Sequence, residues 1–262
     1  MVTQRALLLV ACIWTLSSCT PRRADVPSAA LPERAAEAEV PAGARILEID
    51  PDRSVVTMLV RRSGPLARLG HNHVITSAQE SGRAWLGPEP RESGFEIRLP
   101  VDLFVVDDPG ARLAAGAEFP GELPAEAREG TYRNMLRAEV LDGAGHPEVV
   151  VRAGRVSGTW QEPMVVARIT LRGATREIEV PVELQRDAQS MLAKGALRIR
   201  QSDFGITPFS VGGGAIQVAD EVDVRFEIYS ALVVSSSQVP SGASSNAFSR
   251  EFIPRGSRSS SR

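Results

Sequence analysis

Residues 222–229 alternate without a break. Val222, Val224, Phe226 and Ile228 are apolar, and Asp223, Arg225, Glu227 and Tyr229 stand between them. Successive side chains of a strand point to opposite faces, so this pattern builds one apolar face and one wet face. The pattern recurs along the chain. Leu47 and Ile49 alternate with Glu48 and Asp50; Phe95, Ile97, Leu99 and Val101 share a face; Ile178, Val180, Val182 and Leu184 oppose Glu177, Glu179 and Glu183; Leu197 and Ile199 oppose Arg198 and Arg200. Further strands are read over residues 74–84, 149–156 and 164–172. Many short strands of period two, separated by turn residues, predict an all-β antiparallel barrel or sandwich. Residues 55–61 are apolar on both faces, with Val56, Met58 and Val60 on one and Val55 and Leu59 on the other. Such a strand suits a barrel whose inside is greasy and whose outside is partly covered.

Residues 107–141 break the pattern. Asp108 followed by Pro109 reads as an N-cap with proline at the first helical position, opening a short helix near residues 111–117. A second helix is read over residues 126–140, with Tyr132, Met135, Leu136 and Val140 near one stripe, although Gly130 weakens it. This insertion is either a lid over the barrel or a surface helix on its wall. Residues 201–214 form a corner between the last two long strands, carrying Asp203, Phe204, Gly205, Pro208 and Gly212 to Gly214.

The corner carries a family resemblance. Asp203-Phe204-Gly205 after a strand, then a strand opening at Asp220-Glu221-Val222, resembles the end of the YceI-like lipid- and polyisoprenoid-binding family. Ile169-Thr170-Leu171-Arg172-Gly173-Ala174-Thr175-Arg176 followed by Val180-Pro181-Val182 is similar to that family's strand-Gly-x-Thr-strand hairpin. The resemblance covers roughly residues 45–232. One departure is visible: Gln201 stands where the family usually has Arg, and Arg200 lies one step earlier. The resemblance implies an antiparallel lipocalin-like barrel of about eight strands, here with a short helical insertion, holding an isoprenoid chain such as a quinone tail or a polyprenyl lipid.

The flanks read as targeting and tether. After Arg5 comes an apolar run, too short to span a bilayer, ending in Leu16-Ser17-Ser18-Cys19. That ending looks like a bacterial lipobox, which places a signal peptide at residues 1–18 and a lipidated Cys19 at the start of the mature chain. By resemblance to bacterial sorting rules, Thr20 after the cysteine favours the outer membrane of a Gram-negative-type envelope. Residues 19–44 are read as the lipidated end and a Pro/Ala/Glu-rich tether, residues 45–234 as the barrel, and the Ser-rich residues 235–262 as a disordered tail. Cys12 is the only other cysteine and lies in the signal, so the mature chain keeps no thiol for a disulfide or a nucleophile.

Little points to catalysis, and the expectation is a binding protein without a cofactor. The formal net charge of −2 gives no reason to expect nucleic acid. No Ser stands in a nucleophile elbow, and Asp203-Phe204-Gly205 matches a kinase signature by letters only. His71 and His73 fall on one face if their stretch is extended, a geometry that serves a metal, polar contacts at a cavity mouth, or plain structure. The residues expected at the ligand are Phe95, Phe204, Phe209 and Phe226, with Tyr132, Met135 and Leu136 of the insertion and His71 and His73 at the mouth. Phe204 has a second reading, as a plug in the barrel end. Two other functions stay open: a metal-dependent activity at His71 and His73, and a structural envelope lipoprotein with a filled barrel. The oligomeric state is open too, a homodimer included.

Overall fold

The structure, a computed structural model, describes residues 40–232. The expected signal peptide, Cys19, most of the tether and the whole of the tail lie outside the described residues.

Twelve strands make one sheet: β1 (Arg45–Ile49), β2 (Val55–Ser63), β3 (His73–Thr76), β4 (Ser81–Leu86), β5 (Gly94–Pro100), β6 (Val105–Val106), β7 (Glu148–Gly158), β8 (Pro163–Leu171), β9 (Ala174–Arg186), β10 (Ser190–Arg200), β11 (Ser210–Val211) and β12 (Ile216–Ala231). All pairings are antiparallel. β1 and β2 run end to end along one edge of β12: Ile49 pairs with Ser230, and Val55 with Glu227. They act as one strand with a kink at residues 50–54. β3 and β4 follow in the same way against them, and β5 and β6 against those. Taken as β1–β2, β3–β4, β5–β6, β7, β8, β9, β10 and β12, the wall has eight strands in chain order and closes between the first and the last. Closure removes the unpaired edges that an open sheet would present.

Strand limits follow the alternation in most places, but β12 begins at Ile216, well before the alternation at Val222, and the short β11 falls within the stretch read as a corner. Residues 74–84 read as a single strand, but the chain turns at Ser77 to Glu80, with Gln79 at φ +58°. The corner is pinned by Ser77. Its hydroxyl accepts the Val56 N–H at 2.8 Å and donates to the buried Glu80 carboxylate.

Two helices interrupt the meander between β6 and β7. Helix α1 (Pro109–Ala115) starts as expected: the Asp108 side chain accepts the Ala111 N–H at 2.9 Å, and proline occupies the first turn. It lies outside the barrel, where Ala111 and Ala115 pack with Phe119 over Leu59 and Val74. That cover explains why β2 is apolar on both faces. Helix α2 (Ala125–Met135) stops before residue 140, where the sequence reading ended it. The N–H groups of Leu141 and Gly143 fold back onto the carbonyls of Met135 and Leu136, and this turn ends the helix. α2 lies at the barrel end where β10 hands over to β12.

Candidate functional site

The inward faces leave a cavity of about 380 Å³ along the barrel. Each strand supplies it by alternation. Val222, Val224, Phe226 and Ile228 of β12 face it, as do Leu197 and Ile199 of β10 and Phe95, Ile97 and Leu99 of β5. Small residues keep it open: Ala167 on β8 and Ala193 on β10 face inward where larger side chains would fill the bore. Gly195 lies beneath the Phe226 ring, its cross-strand partner, and a β-carbon there would come within 2.5 Å of the ring.

Among the described residues no lysine, arginine, aspartate or glutamate lines this cavity. Its polar lining residues are few and unevenly placed. His73, Thr131, Asn134 and Gln201 border the end covered by α2 and the 201–204 turn. The opposite end, at the β7–β8 hairpin, is bordered by Trp160, Pro163 and Ser93. The α2 end is therefore the polar one.

Among the described residues His73 is the only ionisable group on the lining, and it is held from behind. Its Nδ1 lies 2.6 Å from Oδ2 of Asp107, which is fully buried. Asp107 Oδ1 accepts from the Val74 N–H at 2.9 Å and from Arg112 Nη1 at 2.6 Å. Arg112, buried on α1, also donates to the carbonyls of Asn72, Pro120 and Gly121. Burial pushes the Asp107 carboxyl up. The His73 ring, the Val74 N–H and Arg112 outweigh that and hold it below its ordinary value. Asp107 also sits at φ +55°, a backbone region that costs a non-glycine residue energy.

A model of the YceI-like domain matches residues 48–229. The chain belongs to the YceI-like family. Among solved structures it is similar to BcnA of Burkholderia cenocepacia, with 14% identity and a TM-score of 0.50, covering 69% of this chain and 98% of that one. It is also similar to a polyisoprenoid-binding domain from Saccharophagus degradans implicated in plant cell wall breakdown (12% identity, TM-score 0.47, 71% of this chain and 97% of that one). A third is the YceI protein of Campylobacter jejuni, at 9% identity and TM-score 0.43, with 60% and 84% covered. At such identities the likeness is one of fold. No curated protein matches the sequence.

In this YceI-like barrel the residues singled out from sequence divide into two groups. Phe95, Met135, Phe209, Phe226 and His73 line the cavity. Phe204, Tyr132, Leu136 and His71 do not. Phe204 is 2% exposed, packed in the main core beside the cavity with the Arg176 guanidinium 5.9 Å above its ring, so it takes the plug position. Gly205 at φ +71° turns the chain after it, and Ile206 reaches the cavity instead. Tyr132 points away and donates its hydroxyl to the Asp102 carbonyl at 2.7 Å. Leu136 lies against Gly143 and the turn that ends α2. His71 is exposed, its ring 6.5 Å from that of His73. His146 is elsewhere, against Gly173 of the β8–β9 hairpin. Among the described residues no group of three His, Cys, Asp or Glu could hold a metal.

Sequence reasoning missed Thr131, Asn134, Gln201 and Ile206 at the polar end, and Asp107 with Arg112 behind it. Helical spacing pairs Thr131 with Asn134 (i, i+3) and with Met135 (i, i+4), which was the available signal. Nothing local marks Asp107 and Arg112, whose partners come from other elements.

Proposed function

We propose that the protein is an envelope lipoprotein that holds one isoprenoid or similar apolar chain inside its barrel, as a carrier or a store. The observation that carries this reading is the cavity itself. A bore of about 380 Å³ lies within the range of small-molecule sites, roughly 300–1,000 Å³, and its wall is built of aliphatic and aromatic side chains from every part of the sheet. Each methylene taken from water into such a wall contributes about 0.8 kcal/mol, so a chain of a few prenyl units is held without a polar motif. Membership of the YceI-like family supports the same reading.

The anchor belongs to this proposal. Leu16-Ser17-Ser18-Cys19 would give a lipidated Cys19 at an outer membrane facing the periplasm, with the barrel tethered beside its source of lipid. Two tests follow. Protein incubated with vesicles containing a polyprenol and then separated from them should retain about one polyprenol per chain; none retained would overturn the binding reading. Cys19→Ser should move the protein from the membrane to the soluble fraction, and a variant that stays membrane-bound after a salt wash would overturn the anchor.

A further inference from the structure

Resting on that reading, we propose that the bound chain carries a neutral hydroxyl head group, and that His73 Nε2 accepts its hydrogen. His73 is then the specificity-determining residue of the cavity.

The cavity excludes a charged head first. Among its lining residues no Arg or Lys is present to meet a phosphate or carboxylate. An anion buried without a partner is costly enough that such a ligand would leave its head in water. No Asp or Glu lines the wall either, which removes a cationic head on the same ground.

The polar end then decides what kind of neutral head fits. His73 pairs with Val60, Val60 with Val222, and Val222 with Ile199. Those three partners are inward-facing and apolar, so one row across four strands ends in a single imidazole. Asp107 is a carboxylate bound by Arg112 and by a backbone N–H, hence an acceptor only. The hydrogen in the 2.6 Å contact therefore sits on Nδ1 of His73. Arg112 shares the Asp107 charge, and in the neutral ring a proton on Nδ1 leaves Nε2 without one. Its Nδ1 edge is committed to Asp107, and the edge left for the cavity carries Nε2, a lone-pair acceptor. Of the nearby donors, Gln201 Nε2 donates to the Ala219 carbonyl and the Thr131 hydroxyl to that of Ala127, while the Asn134 amide can meet either kind of head. A head that donates, such as the hydroxyl of an isoprenoid alcohol or a quinol, matches this end. A head that only accepts, such as an ether or a quinone, leaves Nε2 unpaired. The strained Asp107 backbone and the buried pair behind it are what fix the ring in this orientation.

The test uses three probes of one tail length on the full chain: geranylgeraniol, its methyl ether and geranylgeranyl phosphate. Wild-type protein should bind the alcohol roughly tenfold more tightly than the ether, the order of one buried hydrogen bond, and more tightly than the phosphate. In His73→Phe the alcohol-to-ether ratio should fall to near one while ether affinity is kept, an outcome that a merely structural histidine would not give. The wild-type comparison needs no variant, so a misfolded His73→Phe would not block it. Equal binding of alcohol and ether, or tightest binding of the phosphate, would overturn the head-group assignment and leave the apolar-chain reading standing. Failure to bind any of the three would overturn that reading as well.

Discussion

His73, Asp107 and Arg112 show how much a few side chains can settle. Asp107 and Arg112 are taken out of water together; Asp107 is satisfied by Arg112, the His73 ring and the Val74 N–H, and Arg112 by Asp107 and backbone carbonyls. Asp107→Ala should therefore cost about 3–5 kcal/mol in urea unfolding, because it leaves Arg112 buried without its charge partner. The same carboxylate makes stability depend on acid. Its folded-state pKa lies below the unfolded value of about 4, so its contribution is complete above that pH and drains away as pH falls through the folded value. Unfolding free energy measured against pH should fall more shallowly below pH 4 in Asp107→Asn than in wild type. Equal slopes would show that other carboxylates govern acid unfolding. Phe204 behaves differently. It is packed in the core off the cavity, so Phe204→Ala should cost about 3–5 kcal/mol and leave the affinity of the remaining folded protein for a polyprenol unchanged.

At the scale of elements, the strand faces were legible because the barrel makes local pattern and tertiary role coincide. The alternating residues of β5, β9, β10 and β12 that read as apolar faces line the bore, all but Ile178 of β9. The break between β3 and β4 was not legible, since nothing in Ser77 to Glu80 announces a glutamine at φ +58°. The end of α2 was also overrun: its stripe continues into Val140, but backbone bonds from the following turn stop the helix at Met135. Two side chains of that stripe expected at the ligand, Tyr132 and Leu136, do not line the cavity. A helix turns about 100° per residue, so Met135 faces the cavity while Leu136 faces the turn. Met135→Trp should lower polyprenol uptake several-fold, and Leu136→Trp should leave it near wild type. The reverse order would mean that α2 presents its other side to the ligand.

For the molecule as a whole, the barrel's use follows from what it leaves unfilled. Protein interiors are ordinarily close-packed, and each void forfeits contacts that its lining would otherwise make. A chain that keeps alanines at inward positions such as Ala167 and Ala193 sustains a bore that a few larger residues would close. The sequence shows which face is inward, but it does not show the sum of the volumes across the bore, so open and filled barrels read alike until the wall is assembled. The direct test is to extract protein purified without detergent and quantify its lipid by mass spectrometry, beside Ala167→Trp, in which an indole occupies the middle of the bore. Wild type should carry about one apolar chain per protein, and the variant at least tenfold less while remaining folded. Lipid-free wild-type protein, or equal lipid in a folded variant, would contradict the account.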